Sequence, residues 1–140
     1  MTELETQIIP STSDHKDEIT DLINNNDLES AGYLPSFGYV ALFNGTVVGY
    51  IGAHKSYDPC AVIDILVVDK SYRNYNIGTQ LLIKILEILK NNKVTEVSAY
   101  VTAHNIEAIG MYKALGIELK TKMYQMQEHL DNLLNNLKER

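Results

Sequence analysis

The 140-residue chain holds one cysteine, Cys60, and three prolines, and it has no basic run and no long apolar stretch. A single cysteine excludes an internal disulfide and a cysteine-type zinc site. It fits a reducing compartment. The four histidines show no ligand spacing, so no metal is expected. Lysine and arginine number 12 against 18 acidic residues, a net charge of −6. With no cluster of cations to neutralise phosphates, neither nucleic acid nor an anionic membrane surface is an expected partner. No segment approaches the ~18 apolar residues of a membrane span. The opening Met1-Thr2-Glu3-Leu4-Glu5 is acidic and lacks an apolar core, so no signal peptide is expected and the reading is cytoplasmic. Pro10, Pro35 and Pro59 fall between periodic segments, where a missing N–H does least damage.

What is present is enough for one core. Apolar residues make up 45% of the chain, and the length suits a single domain over residues 1–140. Gln7-Ile8-Ile9 reads as a first strand. Ser11 to Ser13 offer cap oxygens for a helix carrying Ile19, Leu22 and Ile23. Residues 24–37 read as loop. Two β-rich runs, Tyr39 to Phe43 and Thr46 to Ala53, flank Asn44-Gly45, the preferred type I′ hairpin turn. Ala61 to Val68 is nearly all apolar and reads as a central strand. A polar loop, Asp69 to Gly78, leads into a helix from Thr79 with Leu81, Leu82, Ile85, Leu86 and Leu89 at helical spacing. Val94 to Val101 reads as a strand. Asn105 opens a helix carrying Ala108, Ile109, Tyr112 and Leu115, closed by Gly116 as its C′ residue. Ile117 to Gln125 reads as a further strand. Leu130, Leu133, Leu134 and Leu137 mark a terminal helix, expected to pack on its own domain, with self-association into a homodimer as the rival. Helices following buried strands point to an α/β layer architecture.

The loop between the central strand and the best helix carries the chemistry. A helix N-terminus presents unpaired N–H groups and the positive end of the macrodipole, a ready anion site. Arg73 adds positive charge. Asn74, Asn76 and Gly78 tolerate left-handed backbone, which lets successive N–H groups turn towards one ligand.

Arg73-Asn74-Tyr75-Asn76-Ile77-Gly78 resembles the Gln/Arg-x-x-Gly-x-Gly/Ala signature of the GCN5-related N-acetyltransferases. Asn76 replaces the first glycine, and Asn74 stands where glycine often follows the arginine. A second segment, Asn105-Ile106-Glu107-Ala108-Ile109-Gly110-Met111-Tyr112-Lys113-Ala114-Leu115-Gly116-Ile117, resembles that family's Asn-x-x-Ala-x-x-x-Tyr-x-x-x-Gly-Phe helix, with Ile117 for the closing Phe. The resemblance covers residues 37–126 well. It implies a mixed central sheet splayed between two central strands, helices on both faces and an extra C-terminal helix. It also implies acetyl transfer from acetyl-CoA to a small-molecule or protein amine, directly in a ternary complex. The diphosphate of CoA would sit on the N–H groups of Arg73, Asn74, Tyr75, Asn76, Ile77, Gly78 and Thr79. Its pantetheine arm would lie along Leu66, Val67 and Val68, with Ser98 to Val101 across the gap, and Asn105, Ala108 and Tyr112 would complete the cofactor site.

The transfer needs a base and an acid. A lysine-like amine is under ~0.1% free base at pH 7, so a carboxylate that takes its proton helps. Asp64 is the candidate, the one charged residue in a buried apolar strand, a costly position unless used or paired. Its rival role is a structural carboxylate bonding a neighbour. Tyr112 holds the family's general-acid position, and a phenol of pKa about 10 lies close to an alkyl thiol. The rival for Tyr112 is a packing residue, and for Asn105 a simple helix cap, which excludes nothing. His54 and His104 lie near strand ends, structural first and proton relays second. Cys60 reads as a loop thiol, not a nucleophile. Residues 24–37 and 54–61 are expected to wall the acceptor, with Tyr33, Tyr39, Tyr57 and Tyr75 as candidate lining. A non-catalytic acyl-CoA sensor is the alternative function. A peptide-binding domain using the tail is a third.

Overall fold

The structure is a computed structural model that describes residues 5–26, 28, 34–99, 101, 105–116 and 129–139. In chain order it contains β1 (Gln7–Pro10), α1 (Lys16–Asn25), β2 (Phe37–Phe43), β3 (Thr46–Lys55), β4 (Cys60–Val68), α2 (Ile77–Asn91), β5 (Glu96–Ala99), α3 (Ile106–Ala114) and α4 (Leu130–Lys138). The expected strand at Ile117 to Gln125 lies outside the described residues, as do His104 and Tyr33. No described helix is long and apolar enough to cross a membrane.

The strands form one mixed sheet in the order β1-β2-β3-β4-β5. The first three pairings are antiparallel and β4–β5 is parallel. Asn44 and Gly45 close the β2–β3 hairpin with φ of 50° and 78°, the two left-handed residues that a type I′ turn requires. Pro10 ends β1 instead of preceding a loop, and β1 is an edge strand, where proline is tolerated.

A bulge in β4 organises the interior. Gly52 pairs with Ile65 and Ala53 with Ile63, so Asp64 is an extra residue with no partner on β3. One inserted residue reverses the alternation of faces. Ala61 and Ile63 therefore share a cluster with Leu66, which also holds Ile77, Leu81, Leu82, Ile85 and Leu89 of α2. Val67 joins Ile19, Leu22 and Ile23 of α1 in a second cluster. These two clusters put helices on both faces, as a layered α/β chain requires.

Helix α2 approaches the sheet closely because β3 offers Gly49. A Cβ there would lie 3.0 Å from Leu81 Cδ1 and 3.2 Å from Ile77 Cγ2. The helix begins two residues earlier than the leucine spacing indicates, at Ile77, so Gly78 and Thr79 belong to its first turn. Strand β5 begins two residues later than expected, at Glu96, and is described to Ala99, with Val94 buried just before it. The four leucines of α4 are exposed, so the expected packing of that helix is not seen among the described residues.

Tyr50 lies on the sheet, 1% exposed. A Cβ on Gly52 would sit 2.6 Å from its hydroxyl, so glycine makes room for the ring. The Ser11 hydroxyl is near enough to ease ionisation, yet it completes no hydrogen bond. Tyr50 Oη is a buried side-chain atom left unpartnered among the described residues. A buried unmade hydrogen bond costs about 1–3 kcal/mol. Tyr50→Phe is therefore expected to leave stability unchanged or raise it by about 1 kcal/mol in urea unfolding. A loss beyond about 1 kcal/mol would show that the hydroxyl is bonded after all.

Candidate active site

The site begins at the end of β4. Among the described residues, parallel pairing with β5 runs from Cys60↔Glu96 to Ile63↔Ala99. From Asp64 to Val68 the edge of β4 facing away from β3 carries no strand among the described residues.

The loop after β4 holds two left-handed residues. Asn74 and Asn76 both adopt left-handed backbone, with φ of 69° and 68°. Asparagine is among the few non-glycine residues that do this readily. Asn76 is the N-cap of α2, and its side chain makes no capping hydrogen bond. The first N–H groups of the helix, from Ile77 to Thr79, are therefore not closed off by the cap, and the positive end of a 15-residue helix stands behind them. Gly78 lets the neighbouring elements close in. A Cβ there would be 3.1 Å from Met111 Sδ and 3.7 Å from Val68 Cγ2.

A cleft of about 220 Å³ opens here, lined by Leu66 and Val68 of β4, Gly78 of α2, Asn105, Ala108 and Met111 beside α3, and Arg73 with Glu107 at its mouth. Asn26, Leu28 and Lys70 complete the wall. Asn26 is 6% exposed. Its amide donates to Leu22 O at 2.8 Å and its Oδ1 accepts from Lys70 N at 3.1 Å, which ties the loop to the end of α1. Asn105 caps α3 by accepting from Ala108 N at 3.4 Å while lining the cleft, so both readings of it hold.

Six of the expected residues therefore meet in the cleft wall: Leu66, Val68, Arg73, Gly78, Asn105 and Ala108. Others are not in the cleft wall. Val67 packs with α1 on the opposite face, and Ile77 is 1% exposed in the core. Asn26 and Leu28 belong to the 24–37 segment expected to wall the acceptor, whereas the sequence does not single out Lys70, Glu107 and Met111. Met111 was within reach, because Ala108, Met111 and Tyr112 share one helix face by spacing.

Three expectations change. Arg73 is not a spare cation. Its Nε donates to Val68 O at 3.2 Å and its Nη1 to Glu107 Oε1 at 2.9 Å, so it bridges the end of β4 to α3. A long side chain that finds partners at hand spends its charge on them. Tyr112 does not line the cleft. It is 6% exposed within the cluster of Leu66 and Ala108, behind the wall. Burial pushes its phenol up to about 12, so its proton is not matched to an alkyl thiol. Tyr57 is 75% exposed, while Tyr39 and Tyr75 pack against the core, so none of these three lines the cleft.

Asp64 lies outside the cleft wall, at the bulge of β4. Its Oδ2 is 2.8 Å from His54 Nδ1, with the two side chains 23% and 41% exposed. Nearby Tyr50 is pushed up to about 12, first by burial and then by the Asp64 charge.

Two buried phenols with raised pKa give a signature in alkali. Below about pH 10 both the folded and unfolded chains hold these protons. Between about pH 10 and 12 the unfolded chain loses them while the folded chain keeps them, so stability falls as pH rises. Tyr112→Phe is expected to flatten that decline relative to wild type. Identical slopes in denaturant melts across this range would contradict the burial of the phenol.

The model of the Acetyltransferase (GNAT) family matches residues 2–117. Spore coat polysaccharide biosynthesis protein SpsD of Bacillus subtilis is 29% identical over 85 residues, covering 61% of this chain and 29% of that protein. N-alpha-acetyltransferase 30 of Dictyostelium discoideum is 29% identical over 94 residues, covering 65% of this chain and 51% of that protein. The chain thus spans about half or less of the length of these curated relatives. A solved structure of aminoglycoside N-acetyltransferase AAC(6')-Iy in complex with CoA superposes with a TM-score of 0.72 at 16% identity, covering 88% of this chain and 99% of that one. With a family model that matches it from residue 2 to residue 117, the chain belongs to the GNAT acetyltransferase family.

Proposed function

We propose that this protein is an acetyl-CoA-dependent N-acetyltransferase that acetylates a primary amine by direct transfer in a ternary complex. The observation that carries this reading is the pair of left-handed asparagines, Asn74 and Asn76, which leave the start of α2 without a side-chain cap beside the cleft at the end of β4. Those residues suit a diphosphate: unpaired N–H groups, a helix dipole, and a glycine where a side chain would crowd the neighbouring elements. CoA accompanies the aminoglycoside N-acetyltransferase of similar fold. That protein and the N-alpha-acetyltransferase support an amine as acceptor.

Acetyl-CoA, when bound, supplies the acetyl group as an activated thioester. The N–H groups of Arg73 to Thr79 hold the diphosphate charge. The open edge at Leu66, Val67 and Val68 offers backbone groups to the pantetheine arm, with Asn105 beside it. Arg73 keeps α3 against the end of β4 and so fixes the width of the slot. Asp64 takes a proton from the acceptor amine. Tyr112 is protonated at neutral pH, its phenol pushed up to about 12 by burial; it stands behind the cleft wall, and its role as donor to the leaving sulfur rests on the family resemblance. The half-buried thiol of Cys60 is not in the cleft wall, which favours direct transfer over a thiol-bound acetyl. The net charge of −6 favours cationic acceptors such as polyamines, aminoglycosides or lysine-bearing termini.

Calorimetry with CoA is expected to show binding, with a melting temperature that rises with cofactor concentration. No response at millimolar CoA would overturn the reading. Asp64→Asn is expected to slow kcat about 100-fold at neutral pH with CoA affinity intact. Tyr112→Phe is expected to lower kcat about tenfold or more with little change in CoA binding.

The position of Tyr112 behind the cleft wall favours a second reading, an acyl-CoA-binding sensor without turnover. A panel of amines separates the two. The enzyme releases free CoA thiol from acetyl-CoA with at least one amine, and a sensor with none.

A further inference from the structure

Apart from the tyrosines, Asn26 is the one buried polar residue among the described residues, 6% exposed, and it belongs to the cleft wall. It stands at the C-cap of α1, where its backbone N–H donates to Ile23 O at 3.2 Å. Its side-chain amide has four hydrogen-bonding positions, two N–H donors and two acceptor lone pairs. Two of them are filled. Nδ2 donates to Leu22 O at 2.8 Å, and Oδ1 accepts from Lys70 N at 3.1 Å. One partner is a backbone carbonyl and the other a backbone N–H, so the amide has a single sense and cannot be turned over. One N–H and one lone pair remain without a partner among the described residues.

A half-used amide in a cleft wall selects what can fill the cleft. The ligand takes the place of water beside it and must supply the bonds that water would. Asn105 is a second asparagine of the same wall. Leu28, Leu66, Val68 and Met111 make much of the rest apolar. A cationic amine would call for a free carboxylate here. Glu107, the carboxylate of the wall, is already held by Arg73 Nη1 at 2.9 Å. A phosphate is better served by the unpaired N–H groups and positive end of α2 than by one neutral amide. A neutral chain that alternates methylene groups with secondary amides matches both kinds of wall, and the pantetheine arm of CoA is such a chain.

We propose that Asn26 is a binding residue for the pantetheine arm, its open N–H donating to an amide carbonyl of the arm. The inference rests on the reading of this cleft as the CoA site. It assigns one residue of the 24–37 segment to the cofactor rather than to the acceptor. The same amide holds Lys70 N, at the head of the loop that leads to Arg73 and the two left-handed asparagines. Arm and cradle loop are therefore joined through one side chain.

The side-chain amide protons of Asn26 report on this directly by NMR in the wild-type chain. Pantetheine and CoA are each expected to shift them. ADP, which carries a diphosphate and no arm, is expected to leave them nearly unmoved. Saturating CoA and pantetheine that both leave the Asn26 amide in place would overturn the proposal. Asn26→Ala is expected to weaken pantetheine and CoA about fivefold, the worth of one neutral hydrogen bond, with ADP affinity unchanged. A residue that only anchored the loop would cost ADP as much as pantetheine, and that result in a folded variant would also overturn the proposal. A variant that does not fold leaves the decision to the wild-type titration. A wild-type chain that binds neither CoA nor pantetheine would defeat the cofactor reading and this inference with it. One that binds CoA past an unmoved Asn26 amide would defeat this inference alone.

Discussion

One extra residue in one strand governs this molecule. Between the pairs Gly52↔Ile65 and Ala53↔Ile63, β4 makes room for Asp64. Without that insertion Leu66 and Val67 would exchange faces, and each would lose its cluster. The strand has to bury Leu66 under α2 and Val67 under α1, so the bulge is held by apolar burial on both sides of the sheet. Burying one such side chain is worth about 1.5–3 kcal/mol. A register slip that removed the bulge would expose several at once.

Three consequences follow from the same residue. Past the bulge, the edge of Leu66 to Val68 that faces away from β3 carries no strand among the described residues. The carboxylate of Asp64 comes to lie against His54 rather than inside an apolar layer. The end of β4 is then aimed at the loop whose two asparagines turn the start of α2 into an anion cradle. Helix α2 in turn rests on Gly49 of β3, so the cradle is referenced to the sheet by close packing rather than by a flexible connection. Arg73 adds the last tie, from Val68 O to Glu107 of α3, and in doing so fixes the far wall of the cleft.

Much of this is written in short-range chemistry. Asn44-Gly45 demands two left-handed residues and obtains them. The leucines of α2 repeat at helical spacing because one face is buried. Asn105 and Gly116 bracket α3 as its cap and left-handed terminator. The bulge is not legible in the same way. Ala61 to Val68 is so uniformly apolar that no alternation exists to be broken, and register depends on partners far along the chain. The His54–Asp64 pair follows from that register. The destination of Arg73 depends on Glu107, which lies 34 residues away. The burial of Tyr112 depends on how α3 closes over Leu66, and with it the rise of its pKa to about 12. Local pattern specifies elements and turns, while the tuning of individual polar groups comes from tertiary packing.

The most direct measurement is the backbone amide NMR spectrum during titration with CoA and, separately, with pantetheine, which lacks the diphosphate. A cradle at the head of α2 predicts large shifts of the Ile77, Gly78 and Thr79 amides with CoA and small ones with pantetheine, while both ligands shift Leu66 to Val68 on the open edge. Saturating CoA that leaves those three amides unmoved would contradict it.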